Sequence, residues 1–217
     1  MCLLWEDKEK VPVAGMFNRP QSIQTATNKG ENEKLNIILL SGGSGKRLWP
    51  LSNDVRSKQF IKVFRDGDRN ESMVQRIYRQ IKTVDPGASI TIATGKSQVS
   101  AIHNQLGVGV GVSVEPNRRD TFPAIALATA YLHDIKGLPV DDAVVVCPVD
   151  PYVENGYFQC LKNMYDVAQK GDAKLVLMGI EPTYPSEKYG YIKPNKGRNG
   201  KIYYSFTEKP DKATAIE

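Results

Sequence analysis

The chain has 217 residues, 41% of them hydrophobic and 24% charged, enough for one well-buried core and typical of a globular protein. Its 29 Lys and Arg against 24 Asp and Glu leave a net charge of +5, a mild excess suited to small polyanions. The cations do not gather into a stripe with aromatic residues, which argues against nucleic acid, and the longest apolar segment, Phe122–Leu132, is too short to span a membrane.

Cys2, Cys147 and Cys160 share no metal-ligand spacing with His103 and His133, so free thiols in a reducing compartment are expected. Acidic residues follow Met1–Trp5 at once, unlike a secretory leader, and the cytoplasm is the expected location. Residues 1–35 combine Pro12, Gly15, Pro20 and a polar, charged run with no period. They read as a flexible N-terminal extension.

The next stretch is the most informative. Ile37–Leu40 is a short apolar run that predicts a buried strand. It breaks into Ser41-Gly42-Gly43-Ser44-Gly45, followed by the cations Lys46, Arg47, Arg56 and Lys58. A strand, a glycine-rich turn with free N–H groups and a cluster of cations together form a setting for phosphates. Neither of two common phosphate loops fits. A P-loop would need glycine at Leu40 and Ser or Thr at Arg47, and the dinucleotide fingerprint would need glycine at Leu48.

Downstream, Asn70–Val84 has the apolar spacing of a helix, with Asn70 or Ser72 as cap and Pro86-Gly87 as stop. Ser89–Thr94 predicts a strand, Lys96–Leu106 a short helix and Gly109–Glu115 another strand. A helix is expected from Pro123 to about His133, a strand over Ala143–Cys147, a helix around Phe158–Ala168 and a buried strand over Ala173–Gly179. From Tyr184 the pattern changes to Pro-rich turns and two strand-like pieces, Gly190–Lys193 and Ile202–Glu208.

This alternation predicts an α/β, Rossmann-like fold. It has a mostly parallel sheet with helices on both faces, and a small antiparallel excursion near the C-terminus. In such sheets ligands bind beyond the carboxyl ends of the strands. Gly42–Arg47, Glu115–Thr121 and Asp150 each follow a predicted strand, so three separate segments converge on one edge.

The run from Gly42 through Arg47, Leu48-Trp49-Pro50-Leu51 and then Lys58-Gln59-Phe60 resembles the signature of the sugar-1-phosphate nucleotidyltransferases. Its Leu-Trp-Pro-Leu variant is most similar to the mannose-1-phosphate guanylyltransferase branch of that family. The resemblance implies magnesium (Mg2+) as cofactor, GTP and mannose 1-phosphate as partners, and transfer of GMP to give GDP-mannose and pyrophosphate. Homo-oligomerisation is left open.

The resemblance also implies roles. Gly42, Gly43, Ser44, Gly45 and Lys46 would line the nucleotide phosphates, with Arg47 as a planar guanidinium clamp on the triphosphate. Lys58 would contact the transferring phosphate; here Ser57 replaces the family's usual proline. Asp150 would bind the metal, unless it is only a turn former before Pro151. Base choice is expected within Glu115–Thr121. Glu115 is either a reader of the guanine edge or a surface carboxylate, Arg118 or Arg119 is a phosphate contact, and Thr121 belongs to the same nucleotide-binding stretch. Tyr189-Gly190-Tyr191-Ile192 and Phe206-Thr207-Glu208-Lys209-Pro210 match the sugar side, which assigns Gly190 and Glu208 to the sugar and Lys209 to its phosphate.

The matched stretch runs from Asn36 to Glu217 as one catalytic domain, ending where the family continues. An incomplete domain that binds GTP but turns over poorly is therefore expected. Three rivals stand beside this reading: a transferase for another sugar and base, a noncatalytic nucleotide-binding fragment, and a nucleotide-sugar glycosyltransferase, disfavoured because Asp150-Pro151-Tyr152 is not the Asp-x-Asp such enzymes commonly carry.

Overall fold

The computed structural model describes residues 34–42, 51–52, 57–171, 175–196 and 202–216. They fall into two compact units that divide between Asp172 and Ala173.

The first unit is built on Asn36–Leu40 (β1), whose NIILL run is buried on both faces. A strand with four consecutive apolar residues, Ile37–Leu40, suits the inside of a sheet with both sides covered. It pairs in parallel with Ser89–Gly95 (β4) on one side and with Val145–Pro148 (β6) on the other. Gly111–Glu115 (β5) joins β4 in parallel, giving the order β5-β4-β1-β6. The chain steps from β1 outward to β5 and then returns to the far side of β1. The reversal lies between β1 and β6, where open α/β sheets leave a crevice at their carboxyl ends.

Strand alternation assigns the faces. Ile38, Leu40 and Ala93 pack with Ala128 and Leu132 of the helix Thr121–Asp134 (α3). Ile37, Leu39 and Ile92 alternate to the opposite face and are buried as well. The helix Met73–Val84 (α1) buries Val74, Ile77 and Ile81 and packs on both Val99–Leu106 (α2) and Asn155–Gln169 (α4). Phe158, Leu161, Met164 and Tyr165 form the buried stripe of α4. Tyr165 donates from its hydroxyl to the carbonyl of Lys34 at 3.0 Å.

Three differences from the sequence reading have physical causes. A hairpin of Phe64–Asp66 (β2) and Arg69–Glu71 (β3) precedes α1; its strands are too short and polar to show a period. It is held by charge, since Arg79 of α1 pairs with Glu71 at 2.7 Å and Asp66 at 3.1 Å. The expected strand over Ala173–Gly179 is not formed in its described part: 175–180 has no regular structure, with Leu175 75% and Leu177 44% exposed. An apolar run becomes a strand only where a sheet edge accepts its N–H and C=O groups, and residues 175–179 pair with none. Thirdly, most of the expected N-terminal extension, 1–33, lies outside the described residues. Its last residue, Leu35, is only 2% exposed and accepts from the N–H of Ser89 at 2.8 Å.

The second unit carries the expected antiparallel excursion. Tyr191–Lys196 (β7) pairs with Ile202–Thr207 (β8), and a short helix, Lys212–Ile216 (α5), follows.

Candidate functional site

Two strand ends flank the crevice. β1 runs into Ser41-Gly42, and β6 into Val149-Asp150, with the N–H of Val149 donating to the carbonyl of Leu40 at 3.2 Å. Lys58 opens the 3-10 turn Lys58–Phe60. Its Nζ donates to Asp150 Oδ2 at 2.8 Å, joining residues 92 apart in the chain. Both side chains are about half exposed (41% and 53%), so the pair faces solvent at the sheet's carboxyl edge.

The backbone of Ser57 has φ −67° and ψ 155°. That is the conformation a proline ring would impose, so serine keeps the shape of the turn while adding a hydroxyl. The Asp150 segment is held from α1. Arg76 Nη2 and Gln80 Nε2 both donate to the carbonyl of Val153, at 3.2 and 2.9 Å. The Arg76 guanidinium sits 4.6 Å from the ring centre of Tyr152, which stacks on Phe64. The sequence reading missed these anchors, because Arg76 and Gln80 looked like the polar side of an amphipathic helix.

The third strand end lies beside Gly42. Glu115 ends β5 and is 7% exposed, so its carboxylate is buried and not on the surface. A Cβ placed on Gly42 would lie 3.9 Å from Glu115 Oε2. Arg118 Nη2 donates to the carbonyl of Gly42, tying the segment after β5 to the end of β1. Asp120 takes a positive φ of 72° and caps α3, accepting from the N–H of Thr121 at 2.9 Å. Thr121 is thereby the first residue of α3, and Arg119 is exposed. Gly43, Ser44, Gly45, Lys46 and Arg47 lie outside the described residues.

In the second unit, Gly190, Glu208 and Lys209 meet at one end of the β7–β8 hairpin. A Cβ on Gly190 would collide with the Phe206 ring and come within 2.9 Å of Glu208 Oε2. Lys209 holds a positive φ of 43°. Its Nζ lies 3.2 Å from Glu208 Oε1 and its N–H donates to the carbonyl of Tyr189 at 3.2 Å. A non-glycine residue in this region marks a backbone held by its surroundings.

Among the described residues no group of three or more His, Cys, Asp or Glu could cage a metal ion, and no helix is long and apolar enough to cross a membrane. Asp150 still suits one cation: its Oδ2 already holds an ammonium, and it stands at a solvent-facing strand end. Magnesium is commonly held this way, by one or two carboxylates with water and phosphate oxygens.

The family described as nucleotidyl transferase matches residues 36–217. The xanthan biosynthesis protein XanB of Xanthomonas campestris pv. campestris (strain B100) is 36% identical over 182 residues, which is 82% of this chain and 37% of XanB. A mannose-1-phosphate guanylyltransferase of Sinorhizobium fredii is 32% identical over 190 residues, covering 84% of this chain and 36% of that protein. The chain therefore spans little more than a third of the curated relatives it matches. A Bacillus anthracis protein assigned as a glucose-1-phosphate thymidylyltransferase and solved with sucrose shares the fold. Its TM-score is 0.51 at 20% identity, over 81% of this chain and 65% of that one.

Proposed function

The chain belongs to the nucleotidyl transferase family, and from that premise we propose that it transfers GMP from GTP to mannose 1-phosphate, releasing pyrophosphate. The Lys58–Asp150 pair at the strand-order reversal carries the reading, because it brings a cation for phosphate and a carboxylate for metal to the same edge. The names of the similar proteins favour GTP and mannose 1-phosphate as the substrate pair.

In this reading a phosphate oxygen of mannose 1-phosphate attacks the α-phosphorus of GTP. One P–O bond forms, the bond to the β-phosphate oxygen breaks, and pyrophosphate leaves with the electron pair. No protein nucleophile is needed; the protein aligns two polyanions and offsets their repulsion. Lys58, a donor with no acceptor capacity, leaves Asp150 and turns to the transferring phosphate. Asp150 would hold magnesium, which supplies charge neutralisation on the phosphate oxygens. Arg47 clamps the triphosphate, and Gly42–Lys46 with Arg118 or Arg119 and Thr121 line the nucleotide. Buried Glu115 accepts from the N1–H and N2 amino groups of guanine. Gly190 and Glu208 serve the sugar, and Lys209 its phosphate.

The test is magnesium-dependent pyrophosphate release from GTP with and without mannose 1-phosphate. Release requiring both substrates is expected. Silence with this pair, together with release from another sugar phosphate or triphosphate, would replace it.

A further inference from the structure

Beneath the Lys58–Asp150 pair lies a set of buried polar side chains to which the reading above gives no role. Ser41, Ser57 and Thr94 are fully buried, as are Gln59 and Gln98 at 2% and 3% exposure. Gln98 is the hub. Its Nε2 donates to Ser57 Oγ at 2.8 Å, and its Oε1 accepts from Thr94 Oγ1 at 2.9 Å and from Gln59 Nε2 at 3.3 Å. Gln59 Nε2 is also 3.1 Å from Ser41 Oγ, and Thr94 Oγ1 is 3.3 Å from the Ser41 carbonyl. Gln98 thus connects the end of β4 with Ser57, the residue before the Lys58 turn, and through Gln59 and Thr94 with Ser41 at the end of β1.

A buried polar network has few arrangements that satisfy every member, so it specifies geometry more sharply than apolar packing does. The helix that begins directly after Gln98 secures the far side of the turn, because Gln105 of α2 donates to the carbonyl of Phe60 at 2.9 Å. We propose that Gln98 is a positioning residue: through Ser57 and Gln59 it sets the turn that presents Lys58 to Asp150, in register with Ser41 at the end of β1. This rests on the reading of Lys58 as the phosphate-contacting cation. Gln98 is uncharged and buried, so it acts through geometry and not by touching substrate.

Two variants of the full chain test it. Gln98→Met keeps side-chain length and removes every hydrogen bond; Ser57→Ala deletes a single hydroxyl and is the milder change. The first readout needs no turnover. Acetylation of lysines by an N-hydroxysuccinimide ester is followed by mass spectrometry, with exposed Lys62 as the reference for a free amine and partly buried Lys82, which donates to the carbonyl of Ala88 at 2.7 Å, as the reference for general loosening. Lys58 is expected to react more slowly than Lys62 in the native chain and to approach it in both variants, with Lys82 unchanged. An unchanged Lys58 rate, or one rising in step with Lys82 as in general loosening, would overturn the proposal. The second readout is pyrophosphate release. The kcat is expected to fall roughly 10- to 100-fold, the scale of a small misplacement of a reacting group, with KM for GTP changing little. An equal fall in the control Arg79→Met, which breaks the two ion pairs to the β2–β3 hairpin, would reduce Gln98 to a stability role. A native chain silent with every substrate pair would sink the proposed function while leaving the acetylation result to stand or fall alone.

Discussion

Lys58 and Asp150 are half exposed, and an exposed ion pair contributes under about 1 kcal/mol to stability. Their loss should therefore be felt in chemistry and not in folding. Lys58→Ala and Asp150→Asn are each expected to lower pyrophosphate release about 100-fold or more while the melting temperature moves by only a few degrees. Activity retained in either variant would remove that residue from the mechanism. Gly190 makes a different prediction. An added methyl must displace the Phe206 ring and crowd Glu208, which costs about 1 kcal/mol of overpacking. Gly190→Ala should raise KM for mannose 1-phosphate about tenfold and leave that for GTP unchanged, as titration of each substrate would show. Both pairs of residues were legible as motifs; the Ser41–Gln98 network was not, because serine and glutamine in short, scattered segments carry no periodic signal.

α1 shows how the structure decides between two starts that the sequence left open. The apolar spacing offered Asn70 or Ser72 as cap; Asn70 belongs to the hairpin and Ser72 is the cap. Ser72 Oγ accepts from the N–H of Gln75 at 3.3 Å, and Gln75 Oε1 accepts in return from the N–H of Ser72 at 3.1 Å. Ser72 is fully buried and its hydroxyl also meets Gln105 Oε1 on α2, so its loss strands partners on two helices. Ser72→Ala is expected to cost about 2 kcal/mol, the upper range for a cap, lowering the melting temperature by roughly 4–8 °C in a thermal scan. The expected strand over Ala173–Gly179 failed for the opposite reason: its composition suits a sheet, but no edge takes it.

For the first unit as a body, pH supplies a test. Burial raises the Cys160 thiol above its ordinary range, so the folded chain keeps a proton that the unfolded chain gives up. Stability from this group is complete below the unfolded thiol's pKa and is lost as pH rises through the raised folded value. Urea midpoints measured from pH 7 to 10 should fall less steeply in Cys160→Ala than in the native chain. Identical slopes would show that the thiol is not held neutral. Native Cys160 should accordingly alkylate slowly near neutral pH, since the thiolate is the nucleophile.

Local pattern determined most of the elements and their order, because apolar periods of two and of 3.6 residues depend only on neighbours along the chain. The glycine-rich stretch, the cations and the three strand-end segments were visible for the same reason, and they pointed to phosphate before any coordinates. The strand order, the reversal between β1 and β6 and the meeting of Lys58 with Asp150 were settled only in the folded chain. So were the burial of Glu115 and the network around Gln98. These depend on which edges and faces pack together across long separations, a competition for shared partners that no single segment records.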